Sequence, residues 1–126
     1  MSCSASDEQN DLSLVENRAR SVAHLFVDRV AKSPDAEAFR FPQADAWESV
    51  TWTQTDAHVR RLAAGLMALG IESEQRVALA SSTRYEWVIA DLAVMLAGAA
   101  TTTIYPTTAE VDVTYIVSDS QSRLVF

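Results

Sequence analysis

Short apolar runs and longer amphipathic stretches alternate through the second half of the chain. The runs 77–80, 100–105 and 123–126 are bounded by polar residues and have the length of buried β-strands. The stretches 84–97 and 107–118 between them have the length of helices. Each predicted strand is therefore joined to the next by a helix-length crossover, which is the connection that parallel strands require. The pattern predicts an α/β fold whose parallel βαβαβ sheet is incomplete where the sequence ends.

The first half of the chain predicts a helix followed by a β-hairpin. Apolar residues recur on one face of 21–32, and Ser33-Pro34 ends that helix. Apolar and polar residues alternate over 37–41 and again over 50–52, which predicts two strands. The segment 42–45 has turn-forming residues and is expected to connect them.

The clearest helical pattern of the chain follows the hairpin. Thr53 and Asp56 have the spacing of a capping box, so the helix is expected to begin there. Gly70 is expected to end it, since glycine is favoured just past a helix C-terminus. The predicted apolar stripe consists of Val59, Leu62, Ala63, Leu66 and Leu69.

The same capping spacing recurs at the next two predicted helices, as Thr83 with Glu86 and Thr107 with Glu110. The last helix has a competing interpretation, because its apolar residues also alternate as they would in a strand. The cap spacing and the need for a crossover favour the helix. The alternating residues are Val111, Val113, Tyr115 and Val117.

The predicted helix 84–97 is apolar on most of its sides. Trp87, Val94 and Met95 flank its polar line and are themselves large and apolar. A helix of this kind expects cover on more than one side. We therefore expect part of its cover to lie outside this chain, and Trp87 to be a packing residue.

Composition narrows the class of protein. The formal net charge of −7 argues against nucleic acid and against a polybasic membrane anchor. Cys3 is the only cysteine, which excludes an internal disulfide and favours a reducing compartment. The N-terminus lacks a signal-peptide pattern, and the apolar stretch 87–100 is too short to span a bilayer. We expect a soluble, cytoplasmic protein with a mobile polar leader over 1–20 and one incomplete domain over 21–126.

No pattern predicts a catalytic, cofactor-binding or metal-binding residue. His24 and His58 have no partner at ligand spacing, and a zinc site needs three or four ligands. The chain has 3 glycines, none in a phosphate-binding spacing, and Lys32 is its only lysine. Ligands of parallel sheets bind beyond the carboxyl ends of the strands, which here carry Ser81-Ser82-Thr83 and Pro106-Thr107-Thr108. Both segments favour helix starts over a nucleophile elbow or a phosphate loop.

A series of segments carries a family resemblance by its order and spacing, although no single segment is specific. The series is 50–53, 60–66, 69–71, 76–79, 84–93, 97–99, 104–107, 115–120 and 124–126. From about Ser21 onward the chain thereby resembles the N-terminal part of adenylate-forming enzymes, specifically bacterial long-chain fatty acid–CoA ligases. Glu86-Trp87 and the Tyr-Pro-Thr turn at 105–107 resemble the long-chain acyl group most.

The resemblance implies the N-terminal portion of the large domain of such an enzyme, and a reaction in two steps. A fatty acid carboxylate attacks the α-phosphate of Mg-ATP to give acyl-adenylate and pyrophosphate, and the thiol of coenzyme A then displaces AMP. The family's catalytic motifs lie downstream of the matching region, so no catalytic residue carries over and the chain alone is expected to be inactive. Thr103 and Ser82-Thr83 depart from the residues common in the family, which affects the turns rather than the fold.

Two hypotheses remain open at this point. The chain is either the N-terminal piece of a fatty acid–CoA ligase or a non-catalytic interaction module. Such a module would pair with a separately encoded remainder, or with itself through the exposed sheet edge at 123–126.

Overall fold

A computed structural model describes residues 12–126, apart from the side chain of Leu14. Of the leader predicted for 1–20, residues 1–11 lie outside the described part. The helices are α1 (Ser13–Glu16), α2 (Val22–Lys32), α3 (Trp52–Ala68), α4 (Tyr85–Leu96) and α5 (Glu110–Ser120). The strands are β1 (Glu37–Gln43), β2 (Ala46–Thr51), β3 (Arg76–Ala80), β4 (Ala100–Ile104) and β5 (Leu124–Val125).

The hairpin predicted for the first half is confirmed, but its strands are longer than expected. Pro42 and Gln43, predicted as turn residues, pair with Trp47 and with the first residue of β2. Proline can occupy this two-stranded ribbon because an edge position needs no N–H donor from it. The turn is reduced to 44–45, where Ala44 takes the left-handed conformation with φ of 51°.

The start of α3 differs from the prediction. Trp52, expected in the second strand, is the first residue of the helix. Thr51, not Thr53, is the N-cap: its hydroxyl accepts from the Gln54 N–H at 3.2 Å, and the Gln54 side chain accepts from the Thr51 N–H at 2.9 Å. The hydroxyl of Thr53 instead donates to the Pro34 carbonyl at 3.0 Å. The extended backbone at Thr51 decides the cap, since an N-cap residue must still be outside the helical conformation.

The two other predicted caps, with Thr83 and Thr107, are also wrong. Arg84 occupies the N-cap of α4 and Ala109 that of α5, and neither makes a side-chain cap bond. Glu86 pairs with Arg84 instead, at 2.6 Å. The N-cap therefore lies one residue later than predicted in α4 and two residues later in α5.

The C-terminus of α3 follows the prediction at Gly70 and contradicts it at Leu69. Gly70 has φ of +86°, and the Ile71 N–H donates back to the Leu66 carbonyl at 3.1 Å in a Schellman turn. Leu69 was predicted in the buried stripe but is 72% exposed, because the turn that begins there carries it away from the core.

A ladder of aromatic rings fixes the hairpin to the helices. Trp52 lies between Phe26 of α2 and Phe39 of β1, with ring centroids 6.3 and 5.8 Å apart. Phe39 also contacts Tyr85 at 5.8 Å, and Tyr85 stacks on Phe41 at 4.3 Å. Alternate residues of β1 thus face the helices, as the sequence alternation predicted.

The predicted parallel sheet is confirmed, with strand order β4-β3-β5. The central strand β3 pairs with β4 from Arg76 to Ala80 and with β5 at Val77 and Ala78. Residues 77–79 are buried, as a strand covered on both faces should be. Tyr105, predicted as the end of β4, lies just past the strand.

The main core joins α3 and α4 to this sheet. Val59 and Leu66 are at most 1% exposed, which confirms the predicted stripe on α3 at those positions, and Val77 of β3 is 0% exposed. Val94 of α4 is 0% exposed, so the expectation that its cover lies outside this chain is wrong for that residue. The helices α2 and α3 and the sheet pack against α4, while Trp87 stays half-buried.

The helix α5 is confirmed against its strand alternative. Its partly buried residues, Val113, Ile116, Val117 and Ser120, follow helical spacing. None of its residues is fully buried, so polar contacts matter more here than elsewhere. The Arg76 side chain of β3 donates to the Ser120 carbonyl at 2.5 Å and to the Gln121 side-chain oxygen at 3.2 Å, which ties the end of α5 to the sheet.

Candidate functional site

The two crossovers leave the sheet in opposite directions, and this determines where the strand order reverses. From β3 the chain passes through α4 to β4 on one side, and from β4 it returns through α5 to β5 on the other side. Right-handed crossovers of opposite direction place α4 and α5 on opposite faces of the sheet. The first, second and third parallel strands are thus arranged 2-1-3, and the topological switch point of such a sheet lies between β3 and β5.

A cleft lies beside this point, beyond the carboxyl ends of β3 and β4. It measures ≈ 230 Å³ and is contributed by the ends of both strands and the first turn of α4. We call it the switch-point cleft, and its lining residues are Ser81, Thr83, Trp87, Thr103, Tyr105 and Pro106. The sequence named both strand ends as ligand-facing segments, and the structure brings them together.

The switch-point cleft offers hydroxyl groups and aromatic faces rather than charges. Its hydroxyls come from two connections and one strand, and Trp87 is part of its lining. The nearest cation in sequence, Arg84, is paired with Glu86, and this hydrogen bond holds the pKa of the Glu86 carboxyl below its usual range. Such a lining can hydrogen-bond and stack against a polar or aromatic group. Its lining provides no cation to neutralise a phosphate, and no carboxylate, histidine or lysine to activate one of its hydroxyls as a nucleophile.

A second, more open groove of ≈ 450 Å³ lies beside the hairpin, between β1, β2, α3 and α4. His58 and Tyr85 meet there, with Nδ1 and the phenol oxygen 3.1 Å apart. Burial raises the pKa of the Tyr85 phenol. The contact orients both rings. Within the described residues 12–126, no second histidine or carboxylate is hydrogen-bonded to the pair, which there lacks the partners of a catalytic relay.

The structure keeps the two histidines apart from each other. His24 belongs to the start of α2, where its Nδ1 lies 2.8 Å from the Ser21 hydroxyl that caps the helix. Over residues 12–126, no three His, Cys, Asp or Glu side chains come together as a metal site would need. Among the same residues, no helix combines the length and apolarity that a membrane crossing needs. Cys3 lies outside the described residues.

Sequence reasoning missed two features of these sites. Trp87 was expected to pack in the interior, but one side of it lines the switch-point cleft together with Tyr105. The available signal was position: one residue follows β4, and the other lies one turn into the helix after β3. The His58–Tyr85 contact joins residues 27 positions apart, and no local spacing indicates it.

Strand order and crossovers together define part of a doubly wound α/β domain, a class that binds ligands beyond the carboxyl ends of its strands. The AMP-binding enzyme family matches residues 26–126. The chain therefore belongs to the family of AMP-binding enzymes, as the resemblance implied.

Individual relatives share the family and differ in length. A long-chain-fatty-acid–CoA ligase of Mycobacterium bovis, FadD15, is 32% identical over 106 residues, which are 84% of this chain and 18% of that protein. An uncharacterized protein of Mycobacterium tuberculosis is 30% identical over 108 residues, 86% of this chain and 61% of that protein. The solved structure of a fatty acyl-adenylate ligase from L. pneumophila, in complex with acyl adenylate and pyrophosphate, matches 86% of this chain and 20% of its own with a TM-score of 0.76 and 26% identity.

Proposed function

We propose that these residues are the N-terminal portion of the large domain of an enzyme that activates long-chain fatty acids. The enzyme would convert fatty acid and Mg-ATP to acyl-AMP, and then transfer the acyl group to coenzyme A. The observation that carries the proposal is the family match over 26–126, supported by a ligase relative whose name specifies long-chain fatty acids and CoA. A single cysteine in 126 residues supports a cytoplasmic location.

The proposed contribution of this chain is architectural. It supplies the strands β4-β3-β5, on which a longer parallel sheet can build, and the hydroxyl-lined cleft at their carboxyl ends. Adenylation requires the stabilisation of transferring phosphoryl charge, and the cleft holds no cation for that purpose. Because the chain spans 18% of the M. bovis ligase, we assign the chemical step to groups beyond these residues. We expect no palmitate-dependent ATP–pyrophosphate exchange from the chain by itself.

A segment exchange tests the proposal. Residues 21–126 replace the aligned segment of the M. bovis ligase, and palmitoyl-CoA formation is measured. We expect an active chimera, and we expect Val77→Asp in the graft to abolish activity by placing a charge in the core. Arg61→Gln, at an exposed position on α3, is the matched control that should keep activity. A folded, soluble chimera that forms no acyl-adenylate would refute the proposal.

A second function is supported by the length of one relative. The 108 aligned residues make up 61% of the M. tuberculosis protein, so a related sequence exists in a protein not much longer than this one. This observation favours a non-catalytic module that associates with a separate chain or with itself. Light scattering after size exclusion, and co-purification with a ligase that lacks its own first segment, test this alternative. A monomer that binds no such ligase would exclude it.

A further inference from the structure

One apolar groove lies apart from both sites described above. It is formed by α2, β1, the first residue of α3 and the middle of α4, and measures ≈ 320 Å³. We call it the α2 groove, and its lining is Val22, Leu25, Phe26, Arg29, Phe39, Trp52, Val88 and Leu92. It shares no residue with the switch-point cleft, and its volume lies at the lower end of the range of about 300–1,000 Å³ typical of small-molecule sites.

The floor and walls of the α2 groove have different exposures. Phe26 is 5% exposed, and its ring contacts Trp52, which in turn contacts Phe39. These three rings are held by the aromatic ladder and form a fixed floor. Val22 and Leu25 rise beside them and are 53% and 59% exposed. Two large apolar side chains left in water at the mouth of a concave apolar surface favour an apolar occupant.

The charge of the groove lining indicates what kind of ligand would bind. Arg29 is the only charged residue of the lining, and its guanidinium has no ion pair within residues 12–126. No carboxylate lines the groove to compete for it. An occupant that satisfies both features has an apolar chain for the aromatic floor and one anionic end for the guanidinium. A carboxylate fits best, because it can accept two parallel hydrogen bonds from arginine.

We propose that the α2 groove binds a single-chain alkyl carboxylate, with the chain along Phe26, Trp52 and Phe39 and the carboxylate on Arg29. The site is non-catalytic, since the groove contains no nucleophile, acid or base. It is a property of this chain and does not depend on the proposed ligase activity. Ligand binding to the α2 groove can therefore be absent while the segment exchange gives an active chimera, and binding can be present while the chimera is inactive.

Trp52 provides the test. The chain has 3 tryptophans, and Trp47→Phe with Trp87→Phe leaves Trp52 as the sole fluorophore in the groove. This protein is titrated below the critical micelle concentration with ω-bromododecanoate, whose bromine quenches indole on contact, and with the neutral ω-bromododecanol. We expect saturable quenching by the carboxylate at concentrations about tenfold lower than by the alcohol, because the alcohol lacks the charge-assisted hydrogen bonds.

Variants test whether the Arg29 guanidinium causes the tighter binding of the carboxylate. Arg29→Gln should weaken the carboxylate about tenfold and leave the alcohol unchanged. Arg61→Gln, on the exposed face of α3, removes the same charge elsewhere and should change neither. Equal quenching of Arg29→Gln and the parent by the carboxylate would overturn the proposal. So would absence of saturation, or equally tight binding of a quaternary alkylammonium of the same chain length.

Discussion

Removal of the Arg76 side chain should loosen α5 from the sheet. The guanidinium donates to the Ser120 carbonyl at 2.5 Å, to the Gln121 amide oxygen at 3.2 Å and to the Glu74 carbonyl at 3.3 Å. It lies at the C-terminus of a helix that has no basic residue of its own in the last turn. Arg76→Met keeps much of the aliphatic packing and removes the charge and its donors.

The magnitude follows from these contacts. A hydrogen bond to a charged group contributes about 1.5–3 kcal/mol, and a cation at a partly buried helix C-terminus contributes up to about 2 kcal/mol. The two estimates describe overlapping interactions, and the side chain is only half-buried. We therefore expect Arg76→Met to lower the free energy of unfolding by about 2–3 kcal/mol. Arg76→Lys should lose about half of that, since it keeps the charge without the fork of donors.

Urea unfolding followed by circular dichroism measures the change, and hydrogen exchange locates it. Protection should fall first at the amides of α5 and only later at those of β3. Arg61→Met, an exposed arginine on α3, is the control and should stay within about 0.5 kcal/mol of the parent. A loss at Arg76 no larger than at Arg61, or protection lost evenly across the chain, would refute the reasoning.

Three further variants probe other features. Gly98→Ala should cost about 1–2 kcal/mol in urea unfolding, because the residue has φ of +79° and a Cβ would lie 3.4 Å from the Ser73 hydroxyl oxygen. Trp87→Ala should cost about 1–3 kcal/mol, less than for a fully buried tryptophan, and no loss would show that its inner face packs against nothing. Burial raises the pKa of Tyr85, so its contribution is complete below the unfolded pKa near 10 and is lost as pH rises through the folded value. The urea midpoint should thus fall above pH 10, and Tyr85→Phe should flatten this fall.

The sequence predicted the local structure correctly wherever a residue pattern is compatible with only one backbone conformation. The βαβαβ order was predictable because short apolar runs and helix-length crossovers leave few alternatives. Gly70 was predictable because a left-handed turn after a helix favours glycine. The predicted N-caps failed because the path of the chain, and not the spacing of a threonine, decides which residue is still extended where a helix begins. Thr51 shows this, since its own capping box with Gln54 competed with an equally spaced pair two residues later.

Sites were less predictable than elements, because their residues meet across the fold. The switch-point cleft could be placed at the strand ends, but strand order was needed to show that β3 and β4 are neighbours there. The α2 groove contains Arg29 and Trp52, which are far apart in sequence. In the sequence, the first is indistinguishable from an ordinary surface arginine and the second from a core aromatic residue. The burial of a side chain also depends on the path of the chain. Leu69 was expected in the core and is exposed, while Val94 is fully buried within this chain.

The aromatic ladder has a consequence for how the molecule opens. A two-stranded hairpin is barely stable by itself in water, and this one is linked to the helices through Phe39 and Phe41. Because Tyr85 contacts both rings and Trp52 joins Phe39 to α2, β1 cannot leave without unstacking a helix residue. Hairpin, α2 and the start of α4 should therefore exchange their amide protons as one cooperative unit, although they are separated in sequence.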